Sequence, residues 1–300
     1  MPATFRFFHV RVAAIQDLTP GFRRFTFTGD DLDAFADPGW DQRIKLVLPA
    51  RDGGFDHLPT GDDWYARWRE LDDAKRPIIR TYTTRAVRPE RMEVDVDAVV
   101  HEVHGPAARF VVEARVGDEV VLLGPNAASE EEPGGVDFVP PNVTERYFLA
   151  GDETAAPAIA VILEQLPAEA RGIAVVEVPS DDDTAYLPTH PGIEVRAVGR
   201  GGAPHGERLV EAARTAVAEL APIGEPQEVE EIDVDEQLLW EVPRHAKGGA
   251  ALKRTSLYAW LASEAAAVKT LRRHLVSERG IDRRSVAFMG YWRLGKAEGL

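Results

Sequence analysis

Short runs of β-branched and aromatic residues, broken by turn signals, fill the first part of the chain. His9–Ile15, Phe22–Thr28 and Arg43–Leu48 are separated by stretches such as Thr19-Pro20-Gly21 and Asp37-Pro38-Gly39, a pattern that predicts antiparallel strands. Met92–His101 alternates most clearly. Val94, Val96, Ala98 and Val100 form one apolar face, while Asp95, Asp97, Val99 and His101 point the other way. Asp52–Lys75 is a polar insertion with Gly53-Gly54, Trp64, Tyr65 and Trp68, expected on the surface near the strands with one or two turns of helix. Gly117-Asp118 turns into Glu119–Leu123, and Gly124-Pro125 closes the set. Counting the extended run at Arg80, six strands by residue 124 predict a small antiparallel barrel.

The pattern changes after residue 126. Ala127–Asn142, with its Glu130-Glu131-Glu132 run, Gly134-Gly135 and Pro140-Pro141, reads as a linker, giving domains at 1–126 and 146–300 joined by 127–145. Beyond it, strands are predicted at Arg146–Ala150, Gly172–Val178, Gly192–Val198, Leu257–Ala262 and Ser285–Met289. Helices are predicted at Ala155–Leu166, Gly206–Leu220 and Glu264–Arg279, the last stopped by Gly280. Strands alternating with helices predict a parallel sheet with helices on both faces. Pro222–Glu241 interrupts this with an acidic run (Glu225, Glu228, Glu230, Glu231, Asp233, Asp235 and Glu236). It reads as a solvated loop, because the glycine turn of a calcium loop is missing. His205 and His245 have no close-spaced partner and read as surface histidines.

Composition narrows the chemistry. A chain of 300 residues that is 44% hydrophobic can bury two cores of ordinary size. With no cysteine, disulfides, Cys-ligated zinc, iron–sulfur clusters and thiol catalysis are excluded, so redox chemistry needs a non-covalently held organic cofactor. The start Met1-Pro2-Ala3-Thr4-Phe5-Arg6 lacks the apolar run of a signal peptide, and no stretch approaches the roughly eighteen apolar residues of a membrane span. A soluble, cytoplasmic protein is expected. The net charge of −15 argues against non-specific nucleic-acid binding. From Arg244 to Leu300, however, twelve Lys/Arg stand against four Asp/Glu, a basic end suited to an anion.

The chemistry-bearing stretch is Arg80-Thr81-Tyr82-Thr83-Thr84-Arg85. In a strand, Arg80, Tyr82 and Thr84 share one face, and Thr81, Thr83 and Arg85 the other. A guanidinium grips a pyrophosphate bidentately, a tyrosine ring lies along an isoalloxazine, and a threonine hydroxyl bonds the ring edge. Such a run suits a flavin. His104-Gly105-Pro106-Ala107-Ala108-Arg109-Phe110 reads as a helix start whose free N–H groups and dipole favour a phosphate.

Five stretches in order resemble the siderophore-interacting protein family, the cytoplasmic FAD-dependent ferric-siderophore reductases, over nearly the whole chain. They are Arg80–Arg85; Asp95–His101 with Gly105-Pro106-Ala107; Leu149–Ile159; Ala262-Ser263-Glu264-Ala265 leading into Leu271–Leu275; and Gly290-Tyr291-Trp292-Arg293. The resemblance implies a six-stranded Greek-key β-barrel that binds FAD, followed by an α/β domain with a parallel sheet of the ferredoxin-NADP reductase type. It implies that Arg80, Thr81, Tyr82 and Thr83 meet the flavin and pyrophosphate, that Asp97, Val99 and His101 line the cofactor, and that Gly105, Pro106, Ala107 and Ala108 hold phosphates through the backbone. It also implies that Asp152, Thr154 and Ala155 bring the nicotinamide domain to the flavin, and that Lys45 and Arg293 bind the iron chelate. The chain departs from the family at Ala108 and Phe110, where a hydroxyl and a tryptophan are frequent, and at Asn126, where an arginine is common. The last change would weaken or relocate the grip on an anionic chelate.

The function implied is reduction of a ferric siderophore, with NAD(P)H or ferredoxin as electron donor. No Gly-x-Gly-x-x-Gly fingerprint marks a dinucleotide site, so the donor stays open between the two. Two alternatives are a flavin oxidoreductase with a different acceptor and a siderophore-binding flavoprotein that does not turn over.

Overall fold

A computed structural model describes residues 2–101, 105–225, 227, 232–234, 237–245 and 248–296. The chain divides into two compact units between Val136 and Asp137. His104 of the expected helix start lies outside the described residues, as do Glu228, Glu230, Glu231, Asp235 and Glu236 of the acidic run.

The first unit contains β1 (Phe5–Thr19), β2 (Phe22–Thr28), β3 (Arg43–Leu48), β4 (Ile78–Thr83), β5 (Ala86–Arg88), β6 (Glu93–Val99) and β7 (Glu119–Pro125), with helices α1 (Trp64–Arg69) and α2 (Pro106–Glu113). They form one antiparallel sheet in the order β4-β3-β7-β1-β2-β6-β5. Six of these strands match the alternation of the sequence; the seventh, β5, is a three-residue edge too short to show a period. Strand β1 is long enough to serve two neighbours, pairing with β7 through its first half and with β2 through its second. Register shifts between Val12 and Ala14 and between Asp17 and Thr19 bend it, as bulges do, and the sheet curls into a half-barrel. The inward face carries Phe8, Phe25, Phe27, Ile44, Leu46, Val94, Val96 and Leu122. Helix α2 covers that core with Val111 and with Phe110, whose ring stacks 5.4 Å from Phe25. The polar insertion earns its place through Trp68, which packs on Val47, Ile79 and Val121 and donates its indole N–H to the Pro77 carbonyl at 2.7 Å.

The segment expected as a linker is tied down at both ends. Gly135 O accepts from Arg43 N at 2.9 Å and Gly134 O from the Gln42 side chain at 3.1 Å, within the first unit. Phe138 is buried in the second unit, its ring 5.5 Å from that of Tyr258.

The second unit contains β8 (Val143–Thr144), β9 (Tyr147–Gly151), α3 (Ala156–Gln165), β10 (Gly172–Val178), β11 (Ile193–Gly199), α4 (Glu207–Leu220), β12 (Trp240–Glu241), β13 (Arg254–Thr255), β14 (Tyr258–Glu264), α5 (Ala265–Arg272) and β15 (Val286–Trp292). The main sheet runs β11-β10-β9-β14-β15-β12; its pairs are parallel apart from the two-residue edge β12. The chain starts in the middle, at β9, moves outward to β11, then returns to the other side of β9 with β14. That reversal is a topological switch point, and crevices outside the carboxyl ends of strands at such points are where open α/β sheets bind ligands. Helices α4 and α5 bury Leu209, Ala213, Val217, Val268 and Leu271 against one sheet face. Helix α3 packs on β9 and β10 and supplies no residue to that core. Gly151 lets it come close, since a Cβ there would stand 2.6 Å from Ala155 Cβ and 2.8 Å from the Ala262 carbonyl oxygen. The helix expected to run to Arg279 changes hand-hold after Arg272 and finishes as a π-helical turn over Arg273–Glu278. No helix among the described residues is long and apolar enough to cross a membrane.

Candidate functional site

In the first unit the candidate site is built on β4 and α2. Cross-strand pairing sets Leu46 opposite Arg80 and Ile44 opposite Tyr82, while Lys45 stands opposite Thr81 and Arg43 opposite Thr83. Arg80 and Tyr82 therefore share the face of Ile44 and Leu46, the side that α2 covers. Tyr82 and Ile78 pack on the same core as Ala107 and Phe110 of α2. Thr81 and Thr83 take the other face. There the Lys45 ammonium donates to the Thr81 hydroxyl at 2.6 Å, and Thr83 is buried.

Helix α2 begins at Gly105 in an extended conformation, with Pro106 at its first position and no side-chain cap. Proline has no N–H, so the amides of Ala107 and Ala108 are the first donors at the positive end of the helix. A Cβ on Gly105 would find no atom within 4 Å, which makes the helix start an open cradle that a side chain would fill. A guanidinium and helix amides for a diphosphate, and a phenol ring for a flat heterocycle, fit FAD. Val99 ends β6 half-buried and His101 is exposed just beyond it.

Asp97 is held in ion pairs within the sheet. Its side chain has no exposed surface, and it accepts Arg24 bidentately at 2.7 and 2.8 Å, with Arg85 Nε 3.4 Å away. It thereby joins the Arg80–Arg85 stretch to β6 through Arg85. Asp95 does the same for β5: it accepts from Arg88 at 2.6 and 2.8 Å and from the Thr26 hydroxyl at 2.8 Å. Burial alone would push the Asp95 carboxyl up, but the bonds from Arg88 and Thr26 outweigh it and hold it below the usual range. A carboxyl whose value is lowered by folding stabilises above the unfolded aspartate value and loses that contribution as pH falls through the folded one. Asp95→Asn is accordingly expected to lower the urea midpoint at pH 7 and to flatten its decline between neutral and acid pH; an unchanged acid limb would remove Asp95 from the linkage.

Asn126 is engaged within the first unit. Its amide donates to the Ala3 carbonyl at 2.9 Å and its oxygen accepts Ala128 N at 3.1 Å, so it fastens the start of the chain to the end of the sheet.

In the second unit Asp152 follows the carboxyl end of β9, at the switch point. It is buried, and its carboxylate accepts Thr154 N (2.9 Å) and Thr154 Oγ1 (2.5 Å) on one oxygen, and Ser263 Oγ (2.8 Å), Glu264 N (2.9 Å) and Trp292 Nε1 (2.8 Å) on the other. These donors come from the ends of β14 and β15 and from the turn after β9. Asp152 thus ties the carboxyl ends of β14 and β15 to the turn after β9, and Ala155, fully buried, leads into α3. Glu264 in turn caps α5, accepting Ala266 N at 2.7 Å and Ala267 N at 3.2 Å.

A second buried cluster lies beside it. Glu153 and Glu177 have no exposed side-chain surface and share the Arg200 guanidinium, at 2.8 and 3.4 Å. Glu177 also accepts Gly206 N and Leu209 N at 3.0 Å, holding the start of α4. Burial, then the neighbouring Asp152 charge, raises the Glu153 carboxyl despite Arg200. His205, read from sequence as a surface residue, packs edge-on against Trp292 at 5.0 Å with Nδ1 3.9 Å from Glu153; burial and Arg200 push its imidazole down. The two carboxylates and this ring gather ligand atoms within 4.8 Å, but Arg200 already supplies the cation between the acids. Arg293, just beyond β15, donates to the Gln237 carbonyl at 2.6 Å.

Comparison with known proteins agrees with both units. The profile described as siderophore-interacting FAD-binding domain matches residues 11–129, and the one described as siderophore-interacting protein matches residues 144–295. The chain belongs to the siderophore-interacting protein family. Among relatives, the ferric vibriobactin reductase of Vibrio cholerae is 29% identical over 276 residues, covering 92% of this chain and 85% of that protein. An NADPH-dependent ferric-chelate reductase of Escherichia coli is 29% identical over 161 residues, 54% of this chain and 58% of that one. The crystal structure of a siderophore utilization protein from T. fusca superposes with a TM-score of 0.70 at 27% identity, over 98% of this chain and 95% of that one.

In this siderophore-interacting protein, three of the five stretches that carried the resemblance meet at one carboxylate, Asp152. Sequence reading missed Glu153, Glu177, Arg200 and His205. One signal was available: Glu177 is a lone acid in the apolar strand Gly172–Val178, a position that demands a partner.

Proposed function

We propose that this siderophore-interacting protein is a cytoplasmic, FAD-dependent reductase that converts a ferric siderophore to its ferrous form, with NAD(P)H as donor. The observation that carries the reading is the shared Arg80 and Tyr82 face beside the open, uncapped start of α2, within the segment that matches an FAD-binding domain. The names of the Vibrio and Escherichia relatives support iron chelates as acceptors, and the second supports a nicotinamide donor. Oxygen chelators hold hard Fe(III) far better than Fe(II), so one electron loosens the metal with no covalent bond broken. Bound FAD would take two electrons as a hydride and pass them on singly, so one NAD(P)H yields NAD(P)⁺, a proton and two Fe(II). In this reading Arg80 and the Ala107 and Ala108 amides hold the diphosphate, and Tyr82 sets the plane of the ring. A nicotinamide donor is a cytoplasmic metabolite, so the location follows from the reading.

Anaerobic stopped-flow with purified FAD-loaded protein tests it. NAD(P)H oxidation, flavin bleaching and capture of Fe(II) by a chromogenic chelator are expected in that order. Bleaching without Fe(II) would indicate another acceptor. Chelate binding with no flavin reduction by NAD(P)H or by reduced ferredoxin would indicate a carrier.

Lys45 in the first unit and Arg293 in the second are the cations we assign to an anionic chelate. Lys45→Ala and Arg293→Ala, made singly, are expected to keep the FAD spectrum and raise the apparent Michaelis constant for an anionic ferric siderophore about two- to fivefold. The effect should shrink at high salt and be absent for a neutral chelate. Equal losses on both chelates would remove that residue from the assignment.

A further inference from the structure

We infer that this chain takes NADH rather than NADPH as its electron donor, and that Asp181 and Asp182 at the exit of β10 make the choice; the inference rests on the nicotinamide reading above. The two coenzymes carry the same hydride and differ only in the 2′-phosphate on the adenosine ribose, so the choice is made where that ribose lies. In a β-α-β unit that binds a dinucleotide, the ribose lies at the carboxyl end of the second strand, where an acid accepts its hydroxyls or an arginine meets the phosphate. Here β9, α3 and β10 form that unit: the two strands are parallel neighbours, and β9 stands at the switch point of the sheet.

The exit of β10 is acidic. Residues 179–192, between β10 and β11, hold Asp181, Asp182 and Asp183 and no lysine or arginine. Asp183 is buried and shapes the turn: its carboxylate accepts Ser180 N at 3.1 Å and Ser180 Oγ at 2.7 Å. Asp181 and Asp182 are exposed on that turn. Asp181 lies over the last pair of the β10–β11 ladder, Val178 and Gly199, since a Cβ on Gly199 would stand 2.2 Å from its Oδ1. Two other charged groups at these strand ends are already engaged. Glu177, the acid within β10, is buried and accepts Gly206 N and Leu209 N, which turns it away from a ribose. Arg200 follows β11, donates its amide to the Val178 carbonyl at 2.7 Å, and directs its guanidinium to Glu153 and Glu177. A 2′-phosphate arriving here would meet two exposed carboxylates and an arginine held by two buried ones. Ribose hydroxyls are neutral donors, which the same carboxylates accept, so NADH is selected by attraction and NADPH rejected by like charge.

Affinity for the two oxidised coenzymes tests the choice without turnover. Dissociation constants of NAD⁺ and NADP⁺ for the FAD-loaded protein are measured by titration calorimetry, beside the rates at which NADH and NADPH bleach the flavin anaerobically. The wild type is expected to bind NAD⁺ about tenfold more tightly than NADP⁺ and to be reduced correspondingly faster by NADH. Asp181→Asn/Asp182→Asn is expected to close that gap by strengthening NADP⁺ binding, with the flavin spectrum and far-UV circular dichroism unchanged. Asp182→Asn alone, which leaves Asp181 over Gly199, should move the ratio about threefold in the same direction. A wild type that prefers NADPH, or that treats the two alike, would overturn the inference and leave the nicotinamide reading standing. So would variants whose ratio of NAD⁺ to NADP⁺ affinity stays at the wild-type value. A flavin that neither coenzyme reduces would overturn the nicotinamide reading and this inference with it.

Discussion

Asp152→Ala is expected to destabilise the second unit by about 3–5 kcal/mol, because it strands several buried donors at once. The carboxylate accepts from the Thr154 amide and hydroxyl, the Ser263 hydroxyl, the Glu264 amide and the Trp292 indole. Water cannot replace it at the carboxyl ends of β9, β14 and β15, where Asp152, Ser263 and Glu264 are all buried. Urea denaturation followed by tryptophan fluorescence reads the loss directly, since Trp292 is one of the released donors. FAD affinity should stay at the wild-type value, as Asp152 belongs to the second unit and the proposed cradle to the first. A midpoint like that of the wild type would mean that the strand ends are held together by packing, with the carboxylate incidental.

Arg80→Ala is expected to weaken FAD binding about ten- to a hundredfold, the worth of roughly 1.5–3 kcal/mol for a charge-assisted hydrogen bond to a phosphate. The fold should survive. Arg80 is half-buried on edge strand β4, and the inward packing there comes from Ile44, Leu46 and Leu48 of its neighbour. FAD titration beside far-UV circular dichroism separates the two effects. Wild-type affinity with an unchanged spectrum would move the diphosphate away from Arg80. Read together, the two variants place cofactor retention and second-unit stability on different residues, so the same purified proteins test both.

How far the sequence reaches differs between elements and site. Met92–His101 showed its faces openly: Val94, Val96 and Ala98 do turn into the core, and Asp95 and Asp97 do turn away from it. In the second unit the expected strands and helices begin and end within a residue or two of their positions, apart from the last strand, which runs three residues further to Trp292, and the π-helical finish after Arg272; the two-residue strands β8, β12 and β13 were not expected. Period and turn chemistry are local, and local information is what a single sequence carries. The Arg80–Arg85 stretch was legible for the same reason, since strand alternation alone sorts Arg80 and Tyr82 onto one face.

Partnership was not legible. Asp97, proposed beside the cofactor, is also the buried counter-charge of Arg24 and Arg85, and His205, exposed as expected of a surface histidine, also lies edge-on to Trp292. Asp152 and Trp292 are 140 residues apart in the chain and 2.8 Å apart between hydrogen-bonding atoms. What the sequence by itself determined was the longer strands and helices, their faces and the run Arg80–Arg85 on a strand, because each depends on the spacing of neighbours along one strand or helix. What only the tertiary structure decided was which charges are buried and with whom, because the parallel order β9-β14-β15 brings strand ends together across long loops, and the energy of a buried carboxylate is set by the donors that converge on it there.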